Sequence, residues 1–167
     1  MNLNIFQKTK NFFTFIFLFI ASFFVYLKTL APSVHLEDSG EFLSVIKSLG
    51  IAHPPGFPLY LVLGKLFSFI PIGTFAWRVN LMSAFFAALA VGVVFLIIYK
   101  LTRNYFLSIL VPLILAFSRI YWSQSIFAEV YTLNLFLLSV IILLLISWKE
   151  NFNQKYLEWF ALVYGLS

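Results

Sequence analysis

Three stretches of this chain, 11–27, 79–99 and 130–147, each run for about 17 residues or more without one charged side chain. As helices they are long enough to cross a hydrocarbon layer about 30 Å thick. Lipid offers the backbone no hydrogen-bond partner, so such stretches must pair their own amides internally. The class that follows is all-α, a polytopic transmembrane helical bundle. With 62% hydrophobic and only 10% charged residues and a mean hydropathy of +0.99, the rest of the chain is too poor in polar groups to wrap those stretches in a water-soluble fold. Cysteine is absent, which excludes disulfides, thiolate nucleophiles and thiolate metal sites.

Spans are expected at about 11–30, 79–99, 105–120 and 130–148, with the start of another at 157–167 and an outer loop over 31–77. The first is read as an uncleaved helix, because bulky Phe, Tyr and Leu stand where a signal-peptide cleavage site would need small residues. The third contains Pro112 and is expected to kink or to merge with "SRIYWSQSIFAE". Lys8 and Lys10, then Lys100 and Arg103, then Lys149 and Lys155 bracket the spans on one side, which predicts a cytoplasmic amino terminus. The formal net charge of +5 is scattered in this way rather than gathered into a stripe, so no nucleic-acid partner is expected. The last apolar stretch is too short to cross, and the chain is expected to be the amino-terminal part of a longer transmembrane domain.

The loop cannot be one span, since Pro32, Pro54, Pro55, Pro58 and Pro71 interrupt it. Within it, Phe42, Val45, Ile46 and Leu49 recur at helical spacing opposite Glu41, Ser44, Lys47 and Ser48, with Gly50 as the stop. A second short apolar piece covers 59–70. Both are expected to be amphipathic helices lying at the membrane surface.

"HLEDSGEF" at 35–42 and "AHPPGFP" at 52–58 hold three of the six acids and both histidines. Asp38 and Glu41 are three apart, the spacing of a capping box in which Asp38 caps a helix and Glu41 reaches back. Crowded carboxylates also repel, which predicts at least one raised pKa and a base suited to proton transfer. His53 stands on the rigid mount of a Pro-Pro-Gly turn, and a lone histidine there is more often structural than catalytic; the same holds for His35. A divalent cation held by Asp38, Glu41 and a histidine suits the donor types, but no His-x-x-x-His spacing supports it, and no metal ligand or cofactor is assigned. Arg119 and Glu129 flank Tyr121 and Trp122, where interfacial anchoring with mutual charge pairing competes with a binding role. Glycine-rich nucleotide loops and a nucleophile elbow are missing.

"LEDSGEF", "AHPPGFPLY" and "WSQSIFAEVYTLN", in that order and each beside an apolar run, resemble the protein O-mannosyltransferase-like family of multi-pass membrane glycosyltransferases of the GT-C type. The resemblance covers about 28–167. It implies a GT-C bundle that moves a sugar, mannose in the first instance, from a polyprenyl- or dolichyl-phosphate carrier to a Ser/Thr hydroxyl of an acceptor protein on the extracytoplasmic face, with inversion. It places the catalytic acid at Asp38, which is expected to act as general base. Glu41 is expected as a second catalytic residue that orients Asp38 or the acceptor. Beside it, His53, Arg119 and Glu129 are expected to bind substrate, with Arg119 meeting the departing phosphate. The expected compartment is a bacterial plasma membrane, or the endoplasmic reticulum if the chain is eukaryotic. Two rivals remain open: a polytopic transporter or lipid flippase, and a noncatalytic membrane scaffold whose acidic loop binds a partner protein.

Overall fold

A computed structural model describes residues 5–35 and 38–167, so Glu37, one of the acids of the loop, lies outside the described residues. The described chain is helical, with α1 (Ile5–Thr29), α2 (Ser39–Ser48), α3 (Pro58–Ser68), α4 (Phe75–Thr102), α5 (Tyr105–Ala116), α6 (Arg119–Ser125), α7 (Tyr131–Asn151) and α8 (Lys155–Leu166). Among the described residues α1, α4 and α7 are long and apolar enough to cross a membrane, and α5 with α6 makes a fourth passage if the bent pair counts as one.

The hub is α4, against which α1, α5 and α7 all pack. Small residues allow the close approach: Ala84, Ala87 and Ala88 are fully buried, and a Cβ on Gly92 would fall 2.6 Å from the Phe15 ring of α1. At the far end of the bundle, Glu150 of α7 takes Lys100 at 2.5 Å and Arg103 at 2.9 Å, tying the last turns of α4 and α7 together. There too the Thr14 and Tyr105 hydroxyls share a hydrogen bond, and the Lys10 ammonium sits 3.9 Å above the Tyr105 ring.

The opposite end, where α1 finishes and α4 begins, forms a rim held by polar side chains. The Asn80 amide donates to the carbonyls of Ala31 (2.8 Å) and Ser33 (3.2 Å), Thr74 Oγ1 donates to the Pro32 carbonyl (3.0 Å), and the Ala31 amide donates to the Ile126 carbonyl (2.9 Å). Trp122 adds a bond from Nε1 to Thr29 Oγ1. Each satisfies a backbone or side-chain group that a helix end would leave orphaned near lipid.

Two details differ from expectation. Pro112 lies inside α5, and the chain bends by 65° after it, between Ala116 and Arg119. The Tyr26 hydroxyl donates to the Ala116 carbonyl at 2.9 Å, replacing the amide that a continuing helix would have supplied, which is why the break falls there. In α2 the buried face is Phe42, Leu43 and Ile46, while Leu49 is 62% exposed and takes a left-handed conformation (φ 55°) one residue before the expected stop at Gly50. That face rests on protein rather than on lipid. It meets α3 so closely that a Cβ on Gly64 would lie 2.5 Å from Ile46 Cδ1, and Lys65 Nζ donates to the Lys47 carbonyl at the end of α2.

Candidate functional site

The site is built at the start of α2 and on the turn that follows it. Asp38 precedes α2 with helical rather than extended angles (φ −78°, ψ −4°), and its side chain makes no capping bond. Glu41 does not reach back either, so the expected capping box does not form. Its carboxylate points to the turn instead: Oε1 accepts the His53 backbone N–H at 2.7 Å and Oε2 meets His53 Nδ1 at 2.9 Å. A backbone amide and a ring N–H together outcompete the single amide a helix start would offer. The turn itself is closed by the Gly56 amide donating to the His53 carbonyl at 2.8 Å, with Gly56 at φ +92°, a conformation glycine adopts freely.

Among the crowded carboxylates, Glu41 is not one whose pKa is raised. The His53 backbone N–H first, and its ring second, hold the Glu41 carboxyl below the usual carboxylate range, so it is ionised at neutral pH. An ionised carboxylate only accepts, so the His53 Nδ1 facing it carries a proton. The imidazole is flanked by Phe42 and Phe57, with ring centroids 5.7 and 5.5 Å away, yet 38% of its side chain remains exposed. Donor atoms of Asp38, Glu41 and His53 lie within 4.8 Å of one another. A cation touching all three would compete with the two bonds Glu41 already makes to His53.

The remaining candidates are distributed around this cluster. Glu129 is 2% exposed, and its backbone N–H and C=O both meet Ser83 Oγ at 3.4 Å. It faces Tyr60, whose phenol has its pKa raised by burial and then by the Glu129 charge. Tyr60 packs on Phe42 at 5.1 Å, and Phe42 lies 5.7 Å from the His53 ring, so two aromatic rings link Glu129 to His53. Arg119 opens α6 on an exposed face. His35 stacks on Phe127 at 4.1 Å, a structural contact. Sequence reasoning passed over Tyr60, Asn80 and Ser83. The available signal was that Asn80 and Ser83 stand one helical turn apart on one face of a span otherwise free of charge.

Residues 38–167 match the family model described as the protein O-mannosyl-transferase TMEM260 N-terminal domain. The chain belongs to this family. Among curated relatives, it is 36% identical over 132 residues to the protein O-mannosyl-transferase TMEM260 of Mus musculus, and 35% identical over 122 residues to that of Dictyostelium discoideum. These matches take in 78% and 71% of this chain but only 19% and 15% of the relatives, so the chain spans less than a fifth of their length. No solved structure matches it. The family match begins at Asp38 itself, and Glu41, His53, Arg119 and Glu129 all fall within the TMEM260 N-terminal domain.

Proposed function

We propose that this chain is the amino-terminal part of a membrane glycosyltransferase that moves mannose from a polyprenyl- or dolichyl-phosphate carrier to a Ser/Thr hydroxyl of a protein acceptor. The observation that carries the reading is the state of Asp38. It sits at the rim, exposed, with a carboxylate that neither caps α2 nor pairs with another described group, a few ångströms from the Glu41–His53 pair. A carboxylate used only for structure would be spent on the helix start. As the acceptor oxygen attacks the anomeric carbon, Asp38 takes its proton, the bond from that carbon to the phosphate oxygen breaks, and the carrier leaves as a phosphate. Attack opposite the leaving group inverts the sugar. Arg119, at the start of α6, supplies a cation for the departing phosphate, which no nucleotide-binding loop is present to serve. The names of the mouse and Dictyostelium relatives support protein O-mannosylation. The basic residues at the far end of the bundle support a rim on the extracytoplasmic side.

The test is transfer by the full-length chain in membranes, supplied with labelled polyprenyl-phosphate mannose and a Ser/Thr acceptor peptide. Wild type should form glycosidic product and Asp38→Asn should not, at equal amounts of folded protein. Transfer that survives Asp38→Asn removes the base assignment. Flux of the labelled lipid without product points to a transporter instead, and neither outcome in wild type points to a scaffold.

A further inference from the structure

We infer that Glu41 is a positioning residue and that the second catalytic group beside Asp38 is His53, acting through Nε2. This rests on the proposed transfer reaction and revises the roles within it. Both Glu41 oxygens are committed to His53, one on its amide and one on its ring, so Glu41 has little left to offer a substrate. What the arrangement fixes is the imidazole. Its Nδ1–H is anchored on a carboxylate, its plane is set by Phe42 and Phe57, and its Nε2 has no hydrogen-bond partner among the described residues. A histidine held only for packing does not need a carboxylate behind it. A histidine that must present one nitrogen in one tautomer does. The Pro54–Pro55–Gly56 turn behind it adds a rigid mount.

The charged groups facing the ring among the described residues are Asp38 and Glu41, both from the α2 end; Phe42 and Phe57 fill other sides. In the reaction the acceptor proton passes to Asp38 as the carbon–oxygen bond forms. It then moves to His53 Nε2, giving an imidazolium stabilised by Glu41, and from there to water, since the side chain is partly exposed. Asp38 returns to the carboxylate and the carrier departs as its phosphate, so proton and charge balance without any further reagent.

The experiment uses the full-length chain with labelled polyprenyl-phosphate mannose and an acceptor peptide. His53→Gln keeps an amide N–H for Glu41 but removes the Nε2 lone pair. It should lower kcat by about 100-fold or more with KM for the donor little changed. His53→Ala should be inactive and regain activity on addition of imidazole, which a purely structural role would not permit. Glu41→Gln should lower kcat less than His53→Gln, again with KM for the donor little changed. The inference is overturned if His53→Gln stays within about threefold of wild type, if its loss lies in KM alone, or if imidazole restores nothing to His53→Ala. It is also overturned if chelation silences wild type and a divalent cation restores it, because the cluster would then be a cation site. If wild type itself transfers no sugar, the reaction proposed above fails first, and that result is recognisable before any His53 variant is assayed.

Discussion

Replacing Gly64 by alanine tests whether the α2–α3 contact is what holds Asp38, Glu41 and His53 in place. The new Cβ would fall 2.5 Å from Cδ1 and 3.1 Å from Cγ1 of Ile46, whose side chain is fully buried. Overpacking of this kind costs about 1–3 kcal/mol, and the gain of alanine over glycine inside a helix offsets about 1 kcal/mol of it. With a contact as short as 2.5 Å the upper end of that range applies, and the net loss of about 2 kcal/mol should raise the population in which α2 lifts off α3 by roughly 30-fold. The chain has no cysteine, so Leu43→Cys, at a position 5% exposed on the buried side of α2, gives a single reporter whose maleimide labelling rate follows that population. Ile46→Val removes the clashing Cδ1. In the Gly64→Ala, Ile46→Val background, labelling should return to within about threefold of Ile46→Val alone, a coupling that distant sites do not show. Equal labelling with and without Gly64→Ala, or strict additivity of the two substitutions, would refute the reasoning and leave α2 held by something else.

Three further outcomes follow from the same geometry. Because His53 holds the Glu41 pKa below the usual range, the clasp between them contributes fully at neutral pH and is lost as pH falls through that lowered value. Protease nicking of the 49–57 turn should therefore accelerate in acid, whereas Glu41→Gln should nick faster already at neutral pH and respond less to acid. Single cysteines at Ser33 and at Asn153 should label from opposite sides of sealed vesicles, with Ser33 on the extracytoplasmic side; labelling of both from one side would break the proposed arrangement. Glu150→Gln removes the partner of Lys100 and Arg103, groups that are part-exposed, and should cost no more than about 1 kcal/mol in thermal unfolding, with the difference shrinking in high salt.

The apolar runs were legible because an unbroken, charge-free length forces a helix in lipid whatever its surroundings. The first and last of them, around Phe15 and Leu137, needed nothing beyond that rule. The site was legible as a set of residues but not as a geometry. Asp38 and Glu41 carry the spacing of a capping box, and nothing local says that Glu41 prefers a backbone amide and an imidazole twelve positions downstream. The stripe of α2 was displaced for a similar reason: Leu43 turns inward and Leu49 outward because α2 packs against α3, a neighbour that its own sequence does not reveal. Pro112 advertised a break that the chain makes several residues later, because a tyrosine on α1 supplies the missing donor there. Glu129 was noticed as an acid, but its burial against Ser83 and Tyr60 arises only when α3, α4 and the segment before α7 converge.

The stitching of residues 29–33 to α4, α6 and the chain just beyond α6 fastens the approach to the carboxylate at several points before it is reached. For the base proposed at Asp38, discrimination between one hydroxyl partner and another then falls to whatever is brought up against that rim, and such parts can diverge between relatives without disturbing the chemistry.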